Sequence, residues 1–478
     1  MKKTLALILS LALPLFLPAC GNGSLSEREK AVESEVLAIR AENEAKAESL
    51  SNAEDPVRTD GVGEDAEDAG GADAASSAGD ADSAEAAVKT PPKNDWDGIL
   101  SSEYQTVGNK YYFRMVTRMR HRNSHGGYSV GTVSLFHWLD LATGDYGPIC
   151  PDPLCAHDDG AVCKYLEVSF QADNLFVDEN TMLASRDVNP NRAPQLCLFD
   201  LKNDTMRSLY QAKMFSADLM GTDGDSVWIV DEVQKTVKKQ AVYITTLYRV
   251  SLDAGEILYE RVLPENCRPF LWRDGLLWCD NVKSLTLTDP DTWEETVILN
   301  YESDDQIGAW YYDTYRDEFW FSIINPRKTT GRLYRYSAAD GVCEEIPMPV
   351  DEIYYFQLTN TKIYYSPYDP VYIGPNYMGG LWDYAGRTIY TVSRDDTAGE
   401  PVAVYTETED RFLCRAGVFG YFVFGDTLLM DSNQIVSRLE TTPEGENVWE
   451  WAIDQAGDVH KIRVNLKTGE RDEILFGD

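Results

Sequence analysis

The chain has 478 residues, 43% of them hydrophobic and 11% aromatic, enough apolar material for one large core or two ordinary ones. Its formal net charge of −36 argues against a nucleic-acid partner and against adsorption of a folded body to anionic lipid, because both surfaces would repel it. Nine cysteines are encoded, and whether any pair as disulfides depends on the redox state of the compartment.

Lys2 and Lys3 open a short basic stretch, an apolar run follows from Thr4 to Leu17, and Leu17-Pro18-Ala19-Cys20-Gly21 has the small-residue pattern of a lipobox. The run is too short to cross a bilayer as a helix. The segment resembles the type II signal peptides of bacterial lipoproteins. That resemblance implies a signal peptide over residues 1–19, cleavage before Cys20, and a diacylglycerol on the Cys20 sulfur. Two acyl chains give stable attachment where one is marginal. The implied address is the bacterial cell envelope, on the outer face of the membrane, with the lipid as the membrane contact. An ordinary secretory signal with a coincidental cysteine is the alternative.

Residues 20–95 read as a tether. No aromatic residue falls between Phe16 and Trp96, and the stretch from Asp55 to Glu85 holds ten acids and one base. Such a composition cannot bury enough apolar area to offset chain entropy, so disorder is expected. Inside it, Ser24-Leu25-Ser26-Glu27 fits a capping box and Val32, Val36 and Ile39 fall at i, i+4 and i+7, predicting a helix over about 25–50. Glu29, Asn43 and Lys46 interrupt its apolar stripe, which favours a single solvated helix over an oligomerising stalk. A flexible linker of this length reaches roughly 50 Å as a coil, enough to hold a folded body clear of the bilayer.

Residues 96–478 change texture to short β-rich runs with a recurring unit: an aromatic run, a second run, a polar turn, and a short last strand. The turns are Asp140–Gly144, Asp200–Asp204, Ser251–Gly255, Asp289–Trp293, Ser337–Gly341, Asp395–Gly399 and Asn465–Gly469. Each sets Gly, Asn or Asp where a hairpin needs positive φ or a local side-chain hydrogen bond, and Asp289-Pro-Asp-Thr-Trp293 fits this least well. Matching strands precede several of them, among them Leu135–Leu139, Leu196–Phe199, Leu247–Val250, Leu333–Tyr336 and Lys461–Val464. One turn per roughly 54 residues is near the length of a four-stranded propeller blade. Twisted blades packed around an axis need aromatic and β-branched residues on both sheet faces. The pattern therefore predicts an all-β fold, a β-propeller of seven four-stranded blades. Six or eight blades, or a pair of β-sandwiches, are the alternatives. The region resembles the divergent TolB-like and YVTN-like propellers of secreted bacterial proteins, an architectural resemblance only.

One segment stands apart. Cys150, Cys155, His157 and Cys163 are spaced C-x4-C-x-H-x5-C. Four soft or borderline donors in one loop are what a tetrahedral Zn2+ site requires. A disulfide between two of the cysteines, with His157 incidental, is equally sufficient outside the cell, and would stabilise the loop by roughly 2–3 kcal/mol. A redox or iron–sulfur role is a third reading. The Cys, Asp-Pro, Cys, His, Cys motif also resembles one in uncharacterised propeller-like lipoproteins of Gram-positive gut bacteria, which implies shared architecture and supplies no activity. Following the outer turn of the first repeat, the loop is expected at the rim. Of the other cysteines, Cys267 and Cys279 flank the turn at Asp274-Gly275. A two-residue hairpin there sets Cys279 opposite Phe270, so no bridge is expected without a bulge.

Two stretches are candidate binding surfaces. Arg118, Arg120 and Arg122 lie in an arginine-rich run that could grip carboxylates or phosphates of a cell-surface polymer, or simply neutralise acidic neighbours. Tyr368, Tyr372, Tyr377, Trp382 and Tyr384 mark an insertion rich in Tyr, Pro and Gly that could stack sugar rings, or pack on the blade beneath. No Walker loop or HExxH motif is present. The sequence thus points to a surface-displayed binding or scaffolding module for a glycan, peptide or envelope protein. The alternative is a polysaccharide hydrolase or lyase with dispersed carboxylates at a channel mouth.

Overall fold

The seven punctuating turns each join the third and fourth strands of one blade. The computed structural model of the chain describes residues 92–474 except 102–104, 123–127, 156, 158–162, 166–174, 187–193, 214–216, 238–239, 265–266, 303, 326–329, 351–352, 368–369, 374–380, 385–387, 407–410, 414–420, 442–446 and 454–459. Residues 20–91 of the expected tether, with its helix and Cys20, lie outside the described residues, as do Tyr368, Tyr377 and Cys414. The chain divides into a smaller unit, Met1–Arg58 with Gln234–Ile244, and a larger one, Thr59–Val233 with Thr245–Asp478. Of the smaller, the described part is the end of one hairpin, where Gln234 approaches the Tyr243 hydroxyl at 3.5 Å.

The larger unit is a ring of seven antiparallel blades, with no helix among the described residues. Blades 1 to 7 occupy residues 105–148, 175–211, 218–262, 268–300, 306–346, 353–406 and 421–474. Each is built from four strands, consecutive in the chain in blades 1 to 5. Blade 6 carries an extra hairpin, and the long second strand of blade 7 pairs with two further short strands.

Turn chemistry explains the repeat. The amides of Gly144, Gly255, Trp293, Gly341 and Gly469 donate back to the carbonyls of Asp140, Ser251, Asp289, Ser337 and Asn465 at 2.7–3.0 Å. The Asp140, Asp289 and Asn465 side chains each accept two further amides inside the turn. The closing residue has positive φ, glycine's natural region. Trp293 takes that place at φ 61, its ring covered by the Arg261 guanidinium at 4.5 Å. The sequence that fitted least well therefore makes the same turn. Asp200–Asp204 shares the positive φ at its close, Asp204 at φ 51, and the Asp200 side chain accepts the Asn203 amide (2.9 Å), whereas in Asp395–Gly399 the Gly399 amide donates to Asp396.

Burial is radial. The second strands Thr181–Arg186 and Glu318–Asn325 are buried on both faces beyond their first residue, whereas the fourth strands Glu295–Asn300 and Val342–Ile346 are largely exposed. Between successive blades lie separate apolar cores. One joins blades 1 and 2, one blades 2 and 3, one blades 3 and 4, one blades 4 and 5, and the largest runs through blades 5, 6, 7 and 1. Polar groups pin the seams as well. The Gln357 amide exchanges two hydrogen bonds with the Val423 backbone, at 2.7 and 2.9 Å, between blades 6 and 7. Arg394 of blade 6 donates to Asp313 (2.6 Å) and Glu318 of blade 5.

The ring closes without exchange of strands between the termini. Arg463 of blade 7 reaches the Gly144 carbonyl of blade 1, and Tyr111 packs on Phe422 and Phe424. A strap, Asn94–Ser101, reinforces the closure. It touches the first hairpin of four blades: Asn94 donates to Asn109 (2.9 Å) in blade 1, and Asn360 in blade 6 donates to the carbonyls of Asn94 and Asp97 (3.1 and 2.9 Å). Trp96 packs edge-on against Phe424 in blade 7. Thr314 in blade 5 donates to the Gly98 carbonyl, and Ile99–Ser101 then pairs with the first strand of that blade. Gly98 has φ 73, and a Cβ there would fall 2.3 Å from the Tyr315 ring, so the strap can turn inward only on a glycine.

Candidate metal centre

The link from blade 1 to blade 2 begins at Ile149, just past the strand Tyr146–Pro148, and its described residues form no strand or helix. Asp152 starts a turn in which its side chain accepts the Leu154 amide (2.9 Å) and its carbonyl the Cys155 amide (3.1 Å). The turn carries Cys155 back toward Cys150. His157 then adopts φ 52, a region few non-glycine residues enter, and its ring faces inward, 4% exposed. Cys163 is 2% exposed. The result is that one donor atom from each of Cys150, Cys155, His157 and Cys163 lies within 4.8 Å of the other three. His157 Nδ1 is 3.5 Å from Cys163 Sγ. None of the three cysteines is disulfide-bonded here.

The cluster reaches into the apolar seam between two blades. Cys163 belongs to the core between blades 1 and 2, with Leu135 and Phe136 on one side and Met182, Ala184 and Phe199 on the other, and Cys150 and Cys155 pack against it. A connector from the outermost strand of one blade to the innermost of the next must pass over their shared seam, and this one carries its apolar residues into it.

Electrostatics follow from crowding and burial. Burial pushes the Cys163 thiol up to about 12, and neighbouring Cys150 and Cys155 add to the rise. Burial, then Cys155, raises Cys150. Three thiolates so close are unfavourable unless a cation sits among them, whose attraction outweighs burial and their mutual repulsion. Supporting groups surround the cluster. Arg186, 6% exposed at the end of its strand, donates to the Cys163 carbonyl (3.3 Å) and approaches Met206 Sδ (3.8 Å). Lys164 pairs with Asp204 at 2.8 Å, and the Tyr165 hydroxyl donates to the same carboxylate at 2.8 Å. Sequence reasoning missed these three. The signal available was an arginine closing the apolar run Met182-Leu-Ala-Ser-Arg186.

The other sequence-selected residues fall elsewhere. Arg118, Arg120 and Arg122 occupy alternate positions on the second strand of blade 1, opposite Thr132, Val130 and Tyr128. Alternation puts them on one face of the sheet. Tyr372 pairs with Trp382, and Pro370 with Tyr384, in the hairpin inserted in blade 6. That hairpin neighbours the strand Asn447–Ile453, which carries Trp449 and Trp451, a juxtaposition the sequence did not reveal. The structure also corrects one register: Cys279 pairs with Pro269, not Phe270, because a bulge intervenes before Leu271. Cys267 and Cys279 share one apolar core, unbonded. Among the described residues, the buried carboxylates Asp231 and Asp313 are engaged by Tyr210 (2.8 Å) and Arg394 (2.6 Å).

No protein-family model matches the chain, and no curated protein does. Among solved structures, the acylaminoacyl peptidase of Pyrococcus horikoshii is 12% identical at a TM-score of 0.46, over 79% of this chain and 52% of that one. The chain thus spans about half the length of that peptidase. The β-propeller domain of the Trilobed protease from Pyrococcus furiosus is 10% identical at 0.43, over 80% of this chain and 99% of that one. An oligogalacturonate lyase from Vibrio parahaemolyticus is 9% identical at 0.40, over 71% and 95%. The assignment of a propeller rests on the sheet topology, and such a fold serves binding and enzymatic roles alike.

Proposed function

We propose that the chain is a lipid-anchored β-propeller, held at the outer face of a bacterial membrane through Cys20 and an acidic tether over residues 20–95. In this reading residues 96–478 bind an extracellular glycan, with a peptide or envelope protein as the alternative ligand. The observation that carries the reading is the unequal use of the two ends of the ring. In an antiparallel blade, the turn between strands one and two shares an end with the turn between strands three and four, and the turn between strands two and three lies at the other. The strap contacts first-to-second-strand turns, so the described chain enters the ring at that end, and in this reading the tether is joined there. The inserted hairpin Pro370–Ile373 with Leu381–Tyr384, and the strand Asn447–Ile453, follow the second strands of blades 6 and 7. They therefore extend from the opposite end, away from the tether. Five aromatic residues, Tyr372, Trp382, Tyr384, Trp449 and Trp451, sit on these neighbouring strands, and aromatic faces with polar tips suit sugar rings.

The test is a glycan array probed with the full chain. Retention of a polysaccharide family that is lost in Trp382→Ala and Trp451→Ala variants of unchanged melting temperature is expected. Binding that survives both substitutions would sink the aromatic surface as the site. Metabolic labelling with a fatty-acid analogue tests the anchor separately, with label expected in the wild type and absent from Cys20→Ala.

A further inference from the structure

Cys150, Cys155, His157 and Cys163 bring four donor atoms within 4.8 Å of one another. We propose that they hold one Zn2+ ion as a closed structural centre that fastens the connector between blades 1 and 2. The inference is independent of any ligand the propeller binds.

The donor set selects the metal. Three sulfurs and an imidazole are soft or borderline ligands, suited to zinc and poorly suited to calcium or magnesium, which take oxygen. A tetrahedron built from Zn–S of about 2.3 Å and Zn–N of about 2.0 Å has edges of about 3.5 Å between sulfur and nitrogen and about 3.8 Å between sulfurs. The His157 Nδ1 to Cys163 Sγ separation of 3.5 Å is already such an edge, and the widest separation permitted by the cluster, 4.8 Å, closes with a small inward shift. Four protein donors fill a tetrahedral shell and leave no open position for water or substrate, which makes the centre structural in character.

The loop is shaped for convergence. The Asp152 turn folds Cys155 back, and the left-handed conformation of His157 turns its imidazole inward. A disulfide would use two of the three sulfurs and leave a buried thiol and a buried imidazole with no part in the bond. A metal uses all four. Charge also balances: Zn2+ with three thiolates and a neutral imidazole carries a net −1, and the buried Arg186 guanidinium donates to the carbonyl of ligand residue Cys163. Binding exchanges three thiol protons for one dication, with the protons released to solvent and no electrons transferred.

Elemental analysis of the purified full chain, with thiol titration in denaturant plus chelator, tests the assignment. One zinc per chain and, apart from the lipid-bearing Cys20, all eight other cysteines as free thiols are expected. Zinc should be lost in Cys163→Ser and in His157→Ala, and kept in His157→Cys and in the control Cys343→Ser. Should the ligand variants fail to fold, Co2+ exchanged into the wild type keeps the question open to decision. Thiolate-to-cobalt charge transfer with tetrahedral d–d bands is expected, and an octahedral spectrum overturns the proposal. So would iron in place of zinc, zinc retained by both ligand variants, or no metal together with a disulfide mapped within residues 150–163.

Discussion

Residues Asn94–Ser101 cross the first hairpins of four blades, and along that path each short stretch meets a different partner. Asn94 meets Asn109 and Asn360, Trp96 meets Phe424, Gly98 meets Thr314, and Ile99–Ser101 joins a strand. The connector between blades 1 and 2 spans a single seam, and four of its side chains, Cys150, Cys155, His157 and Cys163, converge on one another. The strap spreads its stabilisation over many modest interactions, so loss of any one weakens it in proportion. The connector concentrates its order at one point, where the outcome depends on whether a cation fills it. A ring closed without strand exchange needs the first kind of device at the join between its termini. The second kind suffices for one seam whose apolar core is already complete.

The sharpest way to break this comparison is to remove the strap. A chain beginning at Gln105 lacks the buried Trp96 and Ile99, and burial of each such side chain is worth about 1.5–3 kcal/mol. With the strap hydrogen bonds at about 1 kcal/mol apiece, a loss on the order of 5 kcal/mol is expected in chemical denaturation relative to a chain beginning at Pro92. Equal midpoints for the two would show that the seam between blades 7 and 1 closes unaided. A smaller cut sharpens the same point. Asn360→Ala removes the donors to the Asn94 and Asp97 carbonyls, and about 1–3 kcal/mol should go with them. The strap remains in place, since Trp96 and the Ile99–Ser101 pairing are untouched. A loss as large as that of full truncation would mean that the strap acts as one cooperative latch.

These two regions were unequally legible in the sequence. The blade count was readable because most third-to-fourth-strand turns demand local chemistry: a side chain that accepts amides near its start and positive φ at its end. Local demands leave local marks, and even Trp293 sits where the pattern calls for a glycine. The strap left no such mark. Asn94 and Gly98 find partners 266 and 216 residues away and Trp96 packs on Phe424, farther still, and nothing in the segment foretells which blades it will cross. The metal-ligand spacing was visible because all four donors fall in one loop. Its burial was not, because the core it enters is supplied by Leu135, Met182 and Phe199 from strands on either side. Trp449 and Trp451 were missed for the same reason: their neighbour, the inserted hairpin of blade 6, is some seventy residues upstream.

Asp204 offers the finest probe of how the connector is held. Burial works to raise its carboxyl, yet the Lys164 ammonium and the Tyr165 hydroxyl outweigh that and leave it below the ordinary aspartate value. A carboxyl whose folded value lies below its unfolded one, about 3.9, contributes its full stability above that unfolded value. The contribution is lost as pH falls through the folded value. Lys164 and Tyr165 follow Cys163 directly, so this pin secures the end of the connector without involving its donors. The side chain is 48% exposed, and solvent screening keeps the effect well under about 1 kcal/mol. Comparison of Cys163→Ser with Cys163→Ser/Asp204→Asn removes any contribution from acid-driven metal loss. The single variant should be slightly more stable above pH 4, with the difference vanishing in stronger acid. A gap that persists at low pH would mean that Asp204 acts through packing in the turn rather than through charge, and the connector would then owe its order to the metal and the apolar seam alone.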